Sequence, residues 1–113
     1  MALSANDVRP DPTSDLNWSN YYGAIHEIFA NNAKAHPSRA CVVETACSSA
    51  PERVFTYQQI NEASNVLAHH LVSNGVQRGE VVMLYSHRGV DLVVAVMGTL
   101  KAGATFSVID PAY

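Results

Sequence analysis

Residues 100–113, with the sequence LKAGATFSVIDPAY, decide the fold. Lys101 and Gly103 end a helix, because a cation in the last turn and a glycine just beyond it are typical of helix C-termini. Residues 105–109 are largely apolar and favour a buried strand, which the following Asp-Pro pair ends. The stretch therefore predicts a helix that leads directly into a strand.

The segment before this stretch supplies a partner strand. Residues 81–85 form a continuous apolar run, which is typical of a parallel strand covered on both faces. Residues 90–101 contain several valines and Gly98, which disfavour a helix, but a run of this length favours a buried helix over a strand. The order predicts a β-α-β unit with parallel strands and a right-handed crossover, and hence an α/β fold.

Three further elements are predicted upstream. Residues 24–35 predict a helix that ends before a His-Pro pair. Its inward face is expected to consist of Ile25, Ile28, Phe29 and Asn32. Residues 40–45 and 54–55 predict two strands, because β-branched and aromatic residues favour extended structure. Residues 46–52 form the loop between them.

A second helix is predicted to begin with a capping box. Thr56 is the expected N-cap, with its side chain bonded to the backbone of Gln59 while the Gln59 side chain reaches back. The helix is expected to end at Asn74 and Gly75, where glycine allows a left-handed conformation. Its inward face is predicted to consist of Ile60, Ala63, Leu67 and Leu71.

Composition restricts the class of protein. The chain has 113 residues, of which 48% are hydrophobic and 15% charged, with a net charge of −3. These values predict a packed globular domain or part of one, with no positive field that would attract nucleic acid. The sequence shows neither a secretory signal nor an apolar run of membrane-spanning length. We therefore expect a cytoplasmic protein that binds neither nucleic acid nor a membrane.

The first part of the chain differs from the rest. Residues 1–22 are polar and lack periodicity, which predicts a linker or extended arm. Trp18, Tyr21 and Tyr22 interrupt this polarity. Since aromatic side chains bury a large area, we expect them to hold the arm against the domain.

Two motifs resemble core motifs of adenylate-forming enzymes. Residues 55–61, FTYQQIN, are similar to the first core motif of adenylation domains, with Phe55, Gln59 and Ile60 in place of Leu, Glu and Leu. Residues 100–106 resemble the second core motif. A capping box before a helix occurs in many folds, but the two motifs at this spacing form a specific pair.

A finer resemblance is to the fungal L-2-aminoadipate reductases, a family of large multidomain enzymes of lysine biosynthesis. It rests on stretches within residues 10–19, 78–83, 88–94 and 106–113. The resemblance implies that residues 23–113 are the N-terminal fragment of an AMP-binding adenylation domain. The expected partners are then the remainder of that domain and the downstream carrier and reductase domains.

This resemblance also implies an activity for the whole enzyme. It would activate L-2-aminoadipate with ATP and Mg²⁺ as an acyl-adenylate, transfer it to a phosphopantetheine thiol, and release the semialdehyde with NADPH. The sequence contains no Ser/Thr/Gly-rich loop with a lysine for the triphosphate and no G-x-G-x-x-G turn for NADPH. We therefore expect no catalytic, cofactor-binding or metal-binding residue in this chain, and no activity from the chain alone.

Several residues have both a functional and a structural interpretation. Lys101 is either a phosphate ligand or, as we favour, a cation that offsets the helix dipole. Asp110 lies at the carboxyl end of a predicted parallel strand, where α/β proteins bind ligands, but an Asp before Pro usually caps a turn. Ser86, His87 and Arg88 follow the other strand and are expected at the same edge of the sheet.

Other reactive groups give weaker patterns. His69 and His70 are adjacent on a helix and point about 100° apart, so they are not expected to share a metal. Cys41 and Cys47 are expected to be buried or idle thiols, because no second pair or histidine lies at zinc spacing. No paired-carboxylate spacing is seen for Glu44, Glu52, Glu62 and Glu80.

Two classes of function remain open. The chain is either part of an enzyme that adenylates L-2-aminoadipate or another amino acid, or a small self-contained α/β module that binds a ligand at the sheet edge near Ser86 and Asp110. In the first case we expect the chain alone to be partly molten and to bind a hydrophobic dye. The reason is that parallel strands normally need helices on both faces, and three helices are predicted.

Overall fold

The computed structural model describes residues 11–15 and 21–113. Along the chain the elements are α1 (Ile25–Ala35), β1 (Ala40–Glu44), β2 (Arg53–Thr56), α2 (Tyr57–Ser73), β3 (Val81–Tyr85), α3 (Val90–Lys101) and β4 (Thr105–Ile109). The predicted bounds of β3, α3 and β4 are confirmed, those of α1 and β1 differ by one residue at one end, and β2 is longer than predicted by one residue at each end. The α/β class is also confirmed.

The strands form two small sheets. β1 pairs antiparallel with β2, with an irregularity between Ala40 and Val42. β3 pairs parallel with β4, in register from Val81 opposite Thr105 to Tyr85 opposite Ile109. Since α3 connects these two parallel strands, the predicted β-α-β unit is confirmed, and the handedness of its crossover stays a prediction.

The hydrophobic core lies between the three helices and the β1–β2 hairpin. Phe29 of α1, Ile60 of α2 and Val90 of α3 form its buried centre. Half-buried apolar residues pack around this centre, namely Cys41, Val42, Phe55, Tyr57, Val93, Val94 and Met97. The hairpin and the start of α3 are therefore held by the same cluster.

The predicted inward face of α1 is correct only for Phe29. Phe29 and Ala33 are buried, whereas Ile25 is 67% exposed and Ile28 and Asn32 are also exposed. Phe29 and Ala33 are one turn apart, so they point the same way. The small side chain of Ala33 allows α1 to approach its neighbours where a larger side chain would hold it away.

The capping box of α2 is confirmed. Thr56 Oγ1 accepts a hydrogen bond from Gln59 N at 3.2 Å, and Gln59 Oε1 accepts one from Thr56 N at 2.8 Å. The predicted inward face is only partly correct. Ile60 is buried and Leu67 and Leu71 are half-buried, but Ala63 is exposed, and the other buried positions are Ser64 and Ala68.

The α2–α3 contact depends on Gly98. This glycine is buried, and a Cβ atom built on it would lie 2.7 Å from Leu67 Cδ2. Such a distance is far below an ordinary carbon–carbon contact of about 3.5–4.0 Å. The residue that weakened the helix prediction for residues 90–101 is therefore the one that lets α3 pack closely on α2.

The β3–β4 sheet has one open face. Alternate residues of β3 point to the same side, and on this side Val81, Met83 and Tyr85 are 61%, 55% and 71% exposed. Leu84, which points the other way, is buried. Within the described residues, β3 is therefore covered on one face only.

Part of the predicted arm lies within the described residues. Tyr21 and Tyr22 are both strongly exposed, so they do not bury the area that was predicted for them. Trp18 lies outside the described residues, as do residues 1–10.

Candidate functional site

The carboxyl ends of β3 and β4 form one edge, as parallel pairing requires. Ser86, His87 and Arg88 line a cleft of about 430 Å³ at this edge, together with Pro111. Ser86 N donates to Ile109 O at 3.4 Å, which joins the two strand ends. The prediction that these residues share an edge of the sheet is confirmed.

Asp110 is placed as a turn cap. Its Oδ1 accepts a hydrogen bond from Ala112 N at 2.9 Å, and its carbonyl oxygen accepts one from Tyr113 N at 3.0 Å. This geometry is typical of an aspartate that begins a tight turn. Asp110 is not among the residues that line the cleft. Its contacts therefore support the structural interpretation, in which it caps a turn.

Glu44 forms another wall of the cleft, and sequence reasoning did not assign it to this site. Its Oε2 accepts a hydrogen bond from Val90 N at 2.8 Å, in the first turn of α3. Its Oε1 accepts one from Arg53 Nε at 2.7 Å, and Arg53 Nη2 completes an ion pair. The hydrogen bond from Val90, followed by that from Arg53, lowers the pKa of the Glu44 carboxyl below its usual range.

Glu44 acts as the N-cap of α3 from another element. The residue at the N-cap position is Gly89, which has no side chain to accept a hydrogen bond. A Cβ atom on Gly89 would lie 2.8 Å from Glu44 Oε2, so the glycine makes room for the carboxylate. A glycine where Ser, Thr or Asp usually caps a helix is the only sequence signal for this contact.

The cleft offers polar surface without an activated nucleophile among its described residues. Ser86 Oγ donates to His87 O at 3.0 Å, so its proton is directed at a backbone carbonyl and not at a base. Glu44 is already engaged by Val90 and Arg53. His87 and Arg88 are exposed. The contacts of Glu44 hold α3 on the hairpin. Among the described residues of the cleft, no acid–base pair is formed.

A second cleft of about 560 Å³ lies between the three helices. Its lining consists of His26, Glu27, Ala30, Asn61, Asn65, Ala68, His69, Val72 and Lys101. The Lys101 ammonium, expected to offset the α3 dipole, instead reaches across to α2 and bonds to oxygens of Asn61, Ser64 and Asn65. Burial lowers the pKa of Lys101.

The other histidines and the cysteines are not brought together. His69 lines the second cleft, while His70 Nδ1 lies 3.4 Å from Asn74 Nδ2. Cys41 is half-buried, and burial raises its pKa; Cys47 is exposed, and a hydrogen bond with Ser49 lowers its pKa. Both are free thiols. In the part of the chain that the structure describes, no three His, Cys, Asp or Glu side chains are placed to hold a metal ion.

The remaining glutamates have separate local roles. Glu62 Oε1 accepts a hydrogen bond from Gln58, and Glu80 Oε2 accepts one from Gln77 N. The half-buried Lys101 is engaged by α2, and the carboxylates of the described residues are dispersed. The described residues therefore do not fit Mg²⁺ or a nucleoside triphosphate. No helix within residues 11–15 and 21–113 is long and apolar enough to cross a membrane.

Comparison with known proteins identifies the family. Residues 29–113 match the family model described as AMP-binding enzyme. The chain belongs to the AMP-binding enzyme family. Within this AMP-binding chain, the motifs at residues 55–61 and 100–106 both lie in the matched region, as the resemblance to adenylate-forming enzymes predicted.

Two curated relatives differ strongly in their similarity to this AMP-binding chain. The L-2-aminoadipate reductase large subunit of Penicillium chrysogenum is 74% identical over 113 residues, which are 100% of this chain and 8% of that protein. Surfactin synthase subunit 2 of Bacillus subtilis (strain 168) is 37% identical over 89 residues, which are 79% of this chain and 2% of that protein. The chain thus spans a small part of both relatives, and the resemblance to the fungal reductases is confirmed.

A solved structure shows the same fold. The fatty acid AMP ligase from Legionella pneumophila superposes with a TM-score of 0.69 at 24% sequence identity, over 76% of this chain and 15% of that one. The predicted fold, part of an adenylate-forming enzyme with a parallel β-α-β unit, is therefore confirmed.

Proposed function

We propose that residues 23–113 are the N-terminal part of an adenylation domain that activates L-2-aminoadipate as an acyl-adenylate, for reduction to the semialdehyde in lysine biosynthesis. The observation that carries this proposal is the 74% identity along the whole chain to a protein named for that substrate. The identity to surfactin synthase subunit 2 is half as high, at 37%. This difference favours the aminoadipate enzyme over another amino-acid-activating domain.

The proposed role of this segment is structural. ATP and Mg²⁺ would be bound by other parts of the adenylation domain, and phosphopantetheine and NADPH by carrier and reductase domains further along the protein. Under this proposal the chain contributes neither a phosphate loop nor a metal site to the whole enzyme. Residues 1–22 are proposed to be a linker, and the whole protein is proposed to act in the cytoplasm.

The open face of the β3–β4 sheet is the proposed contact with the rest of the adenylation domain. Val81, Met83 and Tyr85 form an exposed apolar row on this face. Parallel strands are usually covered on both faces, and exposed apolar patches commonly mark contact surfaces. The segment would then contribute a β-α-β unit to a larger sheet without touching the reacting atoms.

A segment exchange tests the proposal. The 113 residues replace the corresponding segment of the Penicillium chrysogenum reductase, and ATP–pyrophosphate exchange is measured with L-2-aminoadipate. We expect activity within a few-fold of the parent. As a control, the matching segment of surfactin synthase subunit 2 is exchanged in the same way and is expected to reduce activity far more. Equal activity of the two exchanges would remove the support for the aminoadipate enzyme.

The chain alone is expected to be inactive. Purified 113-residue protein should give no amino-acid-dependent ATP–pyrophosphate exchange above a control without protein, because it has no anion-binding loop for the triphosphate. Exchange above that control would contradict the proposed division of roles. Saturable binding of a small molecule at the cleft near Ser86 and Arg88 would instead favour a self-contained binding module.

A further inference from the structure

The ammonium of Lys101 lies among oxygen atoms from one turn of α2. Nζ donates to Asn61 Oδ1 at 2.7 Å, to Ser64 Oγ at 2.8 Å and to Asn65 Oδ1 at 2.8 Å, while Asn61 O is more distant at 3.3 Å. A lysine ammonium has three N–H donors, and three short distances match this number. All four oxygens belong to neutral groups, so the site resembles the oxygen surroundings of a monovalent cation.

The hydrogen bonds of this site are mutually consistent. Ser64 is fully buried, and its hydroxyl donates to Asn61 O at 3.0 Å, which leaves its lone pairs free to accept from Lys101. The Phe29 ring lies on another side of Nζ, with its centroid at 5.3 Å, within the range of a cation–π contact. One positive charge therefore joins α1, α2 and α3.

Lys34 serves to distinguish two explanations of Lys101, an offset of the helix dipole and the filling of an oxygen site. Lys34 stands in the last turn of α1, as Lys101 does in α3, but its side chain is exposed. A lysine that only offsets a helix dipole makes a small and similar contribution in either place. A lysine whose ammonium fills an oxygen site contributes more, because its removal leaves the buried Ser64 hydroxyl and the half-buried Asn61 amide without this donor.

We propose that the oxygens of Asn61, Ser64 and Asn65 form an ammonium-binding site that Lys101 fills from α3. The site takes a cation with N–H donors and the size of a primary alkylammonium. It holds the C-terminal turn of α3 on α2, just before the chain enters β4. Replacement of Lys101 by alanine would leave a site that a small free ammonium ion can occupy.

Amide hydrogen exchange of the 113-residue chain, followed by mass spectrometry, tests the site. We expect K101A to accelerate exchange in α2 and in the last turns of α3 by about thirtyfold, since a half-buried charged hydrogen-bond donor to three short acceptors is lost. Addition of n-propylammonium chloride should restore most of the protection. Tetramethylammonium chloride at the same concentration, which has no N–H donor, should not.

Two further variants complete the test. K34A is expected to change exchange in α1 by less than about threefold, as an exposed cation near a helix end should. K101M keeps the apolar stem without the charge and should lose as much protection as K101A. Equal effects of K34A and K101A, full protection in K101M, or no recovery with n-propylammonium would each overturn the proposal, as would an unmodified chain whose α2 amides show no protection.

Discussion

The two sheets of this chain contain the same number of strands but are held in different ways. β1 and β2 pack their half-buried residues Val42 and Phe55 on the core and are tied to α3 through Glu44. β3 and β4 keep an open apolar face, and all five residues of β4 are exposed. A two-stranded sheet is marginal by itself in water, so its stability here depends on what covers it.

The largest expected difference between the two regions concerns core packing. Ile60→Ala should lower the free energy of opening of α2 by about 3 kcal/mol, because a fully buried side chain would leave a cavity. Met83→Ala on the open face should lower it by less than about 0.5 kcal/mol. Hydrogen exchange of the α2 amides measures both. If the two variants behaved alike, the contrast between packed and open regions would be lost.

The close approach of α2 and α3 gives the next largest effect. Gly98→Ala should cost about 2 kcal/mol of stability, because its Cβ atom would overlap the Leu67 side chain and outweigh the gain in helix propensity. Combining it with Leu67→Ala should relieve only part of this cost, because the Leu67 Cβ that alanine retains would still lie 2.9 Å from the new Cβ atom. Hydrogen exchange of the α2 amides in the four proteins gives this coupling directly, and additive effects would show that the contact does not limit packing.

The junction between the hairpin and α3 should depend on pH. Since the pKa of Glu44 is lowered in the folded chain, its stabilising contribution is complete above its unfolded value of about 4.5 and is lost as the pH falls through the lower folded value. The effect should be smaller than the two above, because the ion pair is partly in water. The protection of the Val90 amide against hydrogen exchange, measured at several pH values and corrected for the intrinsic exchange rate, should follow this titration, and a Glu44→Gln variant should show no such transition.

A substitution on the open face should have the smallest effect on stability and a clear effect on dye binding. The chain alone should bind a hydrophobic dye, and Met83→Lys should reduce this binding while changing the free energy of opening by less than about 0.5 kcal/mol. Glu62→Lys on the exposed side of α2 is a matched control that should leave dye binding unchanged. A chain with sharp amide NMR signals and no dye binding would favour the self-contained module.

Element identity was predictable where a local pattern determines it. The Thr56–Gln59 capping box and the apolar runs at residues 81–85 and 105–109 depend on neighbouring residues only, and all three are confirmed. The length of the segment at residues 90–101 correctly predicted a helix, although Gly98 disfavours one.

The inward faces of the helices were less predictable. Periodicity finds an apolar stripe, but α1 and α2 bury small residues such as Ala33, Ser64 and Ala68, because the three helices approach closely. The partners of Glu44 and Lys101 were not predictable from local sequence. Glu44 bonds to a residue 46 positions away, and Lys101 to residues 36 to 40 positions away.

The distant cap on α3 also bears on the order of folding. An ordinary N-cap lies next to its helix and forms with the first turn, whereas the α3 cap arrives from β1 only after a loop of 46 residues has closed. The capping box of α2 has no such requirement, since its two residues are three positions apart. The capping of α3 therefore requires the hairpin to be docked, a requirement that the start of α2 does not share.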